Sequence, residues 1–333
     1  MIIQKAILHI LDLTSNICVI SQEELDYSKE DVREFIEKHI NKVFADPNKR
    51  EGMFKQGSKY LEHLNDYRGG KESFYEFSYF IAERIHQKIS NAENLESMDL
   101  LLVEFNENDV NYLVMFLWNN KMAYTHQVST VQNQTKNEII RHYAILPNTS
   151  QKIDSYAFLN LSNFALEFVD KKRVIAGEET LLLPDRVLEC NYNISSRETV
   201  KSVSEIAKTV AEEHGADPVK AVSRTKKFIA ENGETSERLS PRELCDEVFA
   251  EDEILARAFT EKAKEANLPE NVKVEQKYAV KSGSTHKIKT DTGIEIIFPS
   301  AFCDNTEYLR FINNENGTIS IEIVNVGEIS NSK

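Results

Sequence analysis

Apolar positions recur along this chain with two different periods, and the places where the period changes divide it into segments. The opening run Ala6-Ile7-Leu8-His9-Ile10-Leu11 is continuous and short, and it predicts a strand. From Ser28 the period lengthens. Val32, Phe35, Ile36, His39, Ile40 and Val43 fall at helical spacing, with Asp31 three positions after Ser28, so a helix capped by Ser28 is expected over 28–45. A shorter helical stretch carrying Phe54, Tyr60, Leu61 and Leu64 is expected before the Arg68-Gly69-Gly70 break. Ser73 and Glu76 then form a capping-box signal ahead of Phe74, Phe77, Phe80, Ile81, Ile85 and Ile89, the stripe of a core-facing helix.

From Leu100 the pattern shortens to that of strands. Segments 100–105 and 110–118 flank the polar turn Asn106-Glu107-Asn108-Asp109. Segments 122–130, 138–146, 155–160 and 164–169 follow, separated by Asn, Thr, Ser and Lys clusters, and are read as an antiparallel meander with helices beside it. Near Ser195 the helical period returns with Val200, Val203, Ile206, Ala207 and Val210, ending at His214-Gly215, where glycine suits a left-handed cap. Asp217-Pro218 starts a second helix that is expected to stop near Asn232-Gly233. Ser240-Pro241 with Glu243 starts a third, whose apolar spacing runs through Ile254, Leu255, Ala258 and Phe259 toward Leu268-Pro269. Strand patterns close the chain at 272–280, 286–290, 294–298, 308–313 and 318–324, with Asn316-Gly317 as the clearest hairpin turn. Strands and helices come in blocks and not in strict alternation, so the expected class is α+β, mostly antiparallel. The expected organisation is an N-terminal α+β domain over 1–190 and a C-terminal domain over 191–333, the latter made of a helical insert (195–268) and a β region (272–325).

Composition adds limits. With 333 residues, 41% of them hydrophobic and 28% charged, the chain is long enough for two globular domains. Its longest apolar stretch, at 110–118, falls far short of the roughly 20 residues of a membrane-spanning helix, so no membrane span is expected. The first dozen residues lack a small-residue cleavage site and read as a strand, not a signal peptide. Cys18, Cys190, Cys245 and Cys303 are scattered without a CxxC pair, so neither a disulfide framework nor a zinc site is indicated and a reducing cytoplasm is expected. The net charge of -14 repels nucleic acid and anionic membranes at a distance, which argues against a protein that simply coats DNA.

Signals for catalysis are missing. The glycine-rich Gly69-Gly70-Lys71-Glu72-Ser73 is not a phosphate loop, because Asn65 stands where the first glycine belongs, and it is read as the loop before the Ser73 cap. None of the eight histidines lies in an HExxH or HxH pattern; His39 and His86 lie on or beside apolar stripes, as core or boundary histidines do. No GxSxG or GxGxxG appears, and paired carboxylates such as Glu23-Glu24 and Glu212-Glu213 are read as solvated surface. No catalytic residues, metal ligands or cofactors are assigned.

Two basic clusters stand out against the acidic background. Lys220, Arg224 and Lys227 fall at i, i+4 and i+7 on one helix face, a row suited to phosphates; three phosphate contacts imply a salt slope near about -2.7, or roughly a 40-fold loss of affinity between about 50 and 200 mM salt. A solvated helix face with Lys227 paired to Glu231 explains the same spacing. The second cluster is Lys273, Lys277, Lys281, Lys287 and Lys289, read as a basic ribbon on two strands around Ser282-Gly283-Ser284, with Lys273, Lys277 and Lys281 on one face and Tyr278 on the other. Lysines that guard a sheet edge give the same pattern.

Ala6-Ile7-Leu8-His9-Ile10-Leu11, Gly52-Met53-Phe54, Ser73-Phe74, Phe77-Ser78, Ala82-Glu83-Arg84, Asp99-Leu100-Leu101 and Tyr112-Leu113, in this order and spacing, resemble the bacterial nucleoid-associated family called NdpA or YejK, and Gly293-Ile294-Glu295-Ile296-Ile297-Phe298 is similar to that family's closing sheet. In the middle the chain differs: Leu183-Pro184-Asp185-Arg186-Val187-Leu188-Glu189 stands where some members have a glycine- and basic-rich stretch. The resemblance implies a cytoplasmic protein of the nucleoid that binds DNA, without sequence preference and most naturally as duplex, with no enzymatic step, and it implies contact with the DNA topoisomerase machinery. The alternative is an acidic protein-interaction module that regulates a DNA enzyme such as a topoisomerase with little DNA contact of its own. Oligomeric state is not predicted.

Overall fold

The fold, a computed structural model, is described for residues 1–131, 134–305, 307–314 and 318–330. It separates into two compact units, Met1–Asn193 and Ile194–Lys333. Mixed helix and strand content around a large antiparallel sheet makes the class α+β, as the patterning predicts.

The first unit contains β1 (Ile2–Asp12), β2 (Ile17–Val19), α1 (Glu30–Phe44), β3 (Arg50–Phe54), α2 (Lys59–Arg68), α3 (Phe74–Ile89), β4 (Met98–Glu107), β5 (Val110–Asn119), β6 (Lys121–Val131), β7 (Gln134–Ile145), β8 (Tyr156–Asn160), β9 (Leu166–Val169), β10 (Lys172–Ile175), β11 (Glu178–Leu181) and β12 (Cys190–Tyr192). Eight strands form one sheet in the order β12-β3-β9-β8-β5-β4-β1-β2, every neighbouring pair antiparallel. Its central strands are apolar at nearly every position because both faces are covered. Leu100, Leu102, Leu113 and Met115 pack with Phe77, Ile81 and Ile85 of α3, while Leu101, Val103, Val114 and Phe116 pack with Ile36, Ile40 and Val43 of α1.

Local chemistry explains most of these boundaries. Ser73 and Glu76 complete the predicted capping box of α3. Ser58 caps α2, accepting the Leu61 amide, whereas Phe54, expected to belong to that helix, lies in β3. Ser28 does not cap α1: its hydroxyl donates to Asp26, the cap position is Lys29 without a side-chain bond, and the helix starts at Glu30. The acidic first turn, Glu30 and Asp31, supplies instead the charge that suits a helix N-terminus. Leu182–Val187 forms a π-helical turn that buries Leu182, Leu183, Pro184 and Val187, so the stretch that differs from the family pattern packs as core.

The expected meander is corrected in one respect. β6 and β7 form a separate two-stranded sheet, and β8 returns to pair directly with β5. The reason is visible in composition: Tyr156-Ala157-Phe158-Leu159 is an apolar run that fits a buried sheet position, while β6 and β7 are rich in Thr, Gln, Ser and Asn.

The second unit contains α4 (Ser196–Glu213), α5 (Pro218–Thr235), β13 (Arg238–Leu239), α6 (Pro241–Val248), α7 (Glu253–Glu265), β14 (Val272–Lys273), α8 (Gln276–Gly283), β15 (Thr285–Lys289), β16 (Glu295–Pro299), β17 (Leu309–Asn313) and β18 (Ile319–Ile323). Ser195 with Glu198 caps α4, Gly215 takes the left-handed conformation after it (φ 71°), and Asp217 caps α5 with Pro218 in its first turn. Three expectations are corrected. The expected third helix is two, α6 and α7, because Asp252 caps a new start by accepting the Ile254 and Leu255 amides. α5 does not stop at Gly233 but continues to Thr235. The expected strand 272–280 is a two-residue strand followed by helix α8.

The last two corrections share a cause. α5 and α8 cross so closely that a Cβ on Gly233 would lie 2.5 Å from the Ala279 Cβ, and one on Gly283 would lie 2.4 Å from the Lys226 carbonyl oxygen. These glycines are contact points between helices and not chain breakers. The Asn316-Gly317 turn lies outside the described residues, but β17 and β18 on either side pair antiparallel.

Candidate nucleic-acid interface

The α5 row is built as expected on one helix, but it does not stand alone. Asp217, Lys220, Arg224, Glu251 and Asp252 line one cleft between α5 and the α6–α7 connection. Arg224, Lys227, Glu231, Glu247 and Glu251 line the next. Lys227 lies 3.9 Å from Glu231, the pairing the spacing allows. Lys220, Arg224 and Lys227 therefore form the basic wall of a mixed-charge groove, in which a phosphate would meet carboxylates as well as cations.

The second cluster is rearranged by the correction to α8. Lys277 and Lys281 are exposed and sit one helical turn apart on α8, not on a strand. A spacing of four is even, as a strand face requires, and also one turn of helix; the Ala279–Gly283 pair, packed on α5, decides for helix. Lys273 is half-buried on β14 and is paired across to Arg238 of β13, a cation that the sequence reading missed because two-residue strands leave no periodic signal. Lys287 and Lys289 occupy the exposed face of the β15–β16 hairpin together with Glu295 and Ile297, while His286 and Phe298 face inward.

The hairpin is anchored to the helices at its base. The Ser223 hydroxyl on α5 donates to the Ser300 carbonyl (2.9 Å), the Ser300 hydroxyl donates to the Gly283 carbonyl (2.6 Å), and the Lys226 ammonium donates to the Thr285 carbonyl (3.2 Å). Burial pushes the Lys226 amine down from its ordinary range, consistent with an inward, anchoring lysine. α8, β15 and α5 are thus one assembly, and its outward cations include Lys277, Lys281, Lys287 and Lys289. Lys287 is bound to Glu295 at 2.7 Å, whereas Lys277, Lys281 and Lys289 make no ion pair among the described residues.

The remaining sequence candidates are structural. Gly69-Gly70-Lys71 is the loop between α2 and α3, with Lys71 held by Asp66 at 2.7 Å. His39 is buried against Phe35, Phe116 and Trp118, and desolvation lowers its pKa. Among the described residues no group of three or more His, Cys, Asp or Glu side chains is placed to hold a metal ion, and no helix is long and apolar enough to cross a membrane.

Comparison with curated proteins finds no match. The family described as nucleoid-associated protein YejK matches residues 7–331, nearly the whole chain and both units, and the chain belongs to that family of nucleoid-associated proteins.

Proposed function

We propose that this nucleoid-associated protein reaches the nucleoid by direct, non-catalytic and sequence-independent contact with duplex DNA in the cytoplasm, through the lysines of α8 and β15. The observation that carries this reading is the set Lys277, Lys281 and Lys289, ammonium groups that face solvent without a carboxylate partner among the described residues. With a Debye length near about 8 Å at physiological salt, the negative charge elsewhere is largely screened at these positions. The α5 row contributes less, since its groove already contains Glu231, Glu247 and Glu251.

A salt titration of binding to a short duplex tests the reading. Replacement of Lys277, Lys281 and Lys289 by alanine should remove three phosphate contacts and lower the slope of log affinity against log salt by about 2.7. Binding by the unaltered protein with the same slope in both forms would overturn the site. No binding by the unaltered protein would overturn direct contact and leave the second reading, an acidic module docking on a basic nucleoid protein such as a topoisomerase. That reading is favoured by one observation, the carboxylates Asp217, Glu231, Glu247, Glu251 and Asp252 that share the mixed-charge groove of α5 to α7.

A further inference from the structure

The β6–β7 hairpin contributes no residue to the buried clusters of the first unit among the described residues. An isolated two-stranded sheet is marginal in water, yet this one runs 11 residues in β6 and 12 in β7 and, among the described residues, joins no other strand. The pairing Tyr124↔Arg141, His126↔Ile139 and Val128↔Asn137 places these six side chains on one face. Both faces of the hairpin are exposed, and this one carries large apolar groups: Tyr124 is 60% exposed, Val128 59% and Ile139 81%. Arg141 lies over the Tyr124 ring at 5.7 Å, which holds the guanidinium on the same side.

Charge identifies what would cover it. Residues 121–145 contain Lys121, Lys136 and Arg141 against the single carboxylate Glu138, a local charge of three minus one, or +2, in a chain of -14. Glu138 is on the opposite face, opposite Gln127, and is held by Lys136 at 2.6 Å. The Tyr124 face therefore offers Arg141, His126 and Asn137 as hydrogen-bonding groups, and Tyr124, Val128 and Ile139 as apolar ones, with no carboxylate. A second copy docked face to face would offer Arg141 no anion, because this face carries no carboxylate. A polyanion with apolar edges fits all six residues.

We infer that the β6–β7 hairpin is a DNA-contacting arm that lays its Tyr124, His126, Val128, Asn137, Ile139 and Arg141 face into the groove of duplex DNA. The inference rests on the direct DNA contact proposed above. The dimensions agree: at about 3.4 Å per residue β6 spans about 37 Å, close to one turn of duplex, and the major groove admits a two-stranded ribbon. Arginine and asparagine are the side chains that pair with base edges there, and apolar groups contact the thymine methyl.

The test uses the full chain with Tyr124→Ser, Ile139→Thr and Arg141→Ala combined, all at exposed positions, and Arg141→Glu alone as a second variant should the triple change impair folding. Affinity for a short duplex at fixed salt should fall at least about tenfold in either variant, with an unchanged oligomeric state by sedimentation. Unchanged affinity, with the unaltered protein binding normally, would overturn the arm and leave the α8–β15 contact standing. A shift from dimer to monomer in the variant would assign the face to a second copy and overturn it as well. Failure of the unaltered protein to bind duplex would overturn the underlying reading itself.

Discussion

Outside the β6–β7 arm, three cations of the first unit are turned inward and held. Arg173 is paired with Asp170 at 2.7 Å with both side chains almost fully buried, Lys49 with Glu167 at 2.6 Å, and Arg84 with Glu189. In the second unit Lys277, Lys281 and Lys289 point to solvent, and the lysine that is turned inward, Lys226, bonds a carbonyl in place of a carboxylate. These two sets use positive charge differently: Arg173, Lys49 and Arg84 are tied into the first unit's fold, while Lys277, Lys281 and Lys289 of the second face solvent. On the proposed DNA contact, a net charge of -14 is no obstacle, because net charge records composition while contact depends on where the cations are held.

The largest effect expected from this contrast is at Asp170. Its carboxylate accepts from Arg173, from the Ser155 hydroxyl (2.6 Å) and from the Leu183 amide (2.7 Å). Asp170→Ala leaves a buried guanidinium uncompensated and should destabilise the first unit by about 3–5 kcal/mol in urea unfolding followed by the fluorescence of Trp118, the single tryptophan. Lys277→Ala, by contrast, should move stability by less than about 0.5 kcal/mol. If the two changes were equally mild, the distinction between held and available cations would fail.

A second test uses pH. Burial, with a smaller push from Lys226, lowers the His286 pKa from 6.5 to about 4, so the imidazole is neutral in the fold. The unfolded chain takes up a proton first as pH falls, so the stability contributed by His286 is complete above about 6.5 and is lost between about 6.5 and 4, by about 3 kcal/mol. Asp99 in the first unit has the opposite sign: burial raises its pKa to about 6, so its contribution is present below its unfolded value of 3.8 and is lost as pH rises through about 6. Accordingly His286→Gln should flatten the acid limb of the second unit's stability, and Asp99→Asn should stabilise the first unit at pH 7 more than at pH 4. Parallel pH profiles for each variant and the unaltered protein would contradict these assignments.

The helix crossing that positions the lysines gives a third, intermediate effect. Gly233→Ala places a methyl 2.5 Å from the Ala279 Cβ and should cost about 1–3 kcal/mol of second-unit stability. Because the displacement moves α8, duplex affinity should fall in the same variant although no charge has changed. Loss of stability with full retention of DNA affinity would separate α8 from the interface.

How much of this was legible depended on whether a signal was local. The α3 capping box, the α5 start at Asp217-Pro218 and the apolar runs of β4 and β5 follow from neighbouring residues, and the structure has them where the spacing puts them. The sequence points to a strand at α8 because lysines four apart satisfy both periods, and what decides for helix lies in its partner: Gly233 on α5 is small because Ala279 approaches it. The carboxylates around Lys220 and Arg224 escaped for the same reason, since Glu247, Glu251 and Asp252 come from another turn of chain. The isolation of β6–β7 was equally invisible, because alternation marks a strand without naming its neighbours.

The smallest predicted effect separates stability from binding most cleanly. Lys287 and Glu295 lie diagonally across the β15–β16 hairpin, about half exposed, with their charged atoms 2.7 Å apart. A pair so placed is worth roughly 0–1 kcal/mol, because water competes for both groups and two long side chains lose freedom to meet. Glu295→Gln keeps the shape, removes the anion and should leave stability within about 0.5 kcal/mol. In the interface it does more: it releases Lys287 beside Lys289 and should steepen the salt slope of duplex binding by about 0.9, a change of roughly 3.5-fold across a fourfold range of salt. A slope that stays constant would place the hairpin outside the DNA contact and leave Lys277 and Lys281 on α8 as its basis.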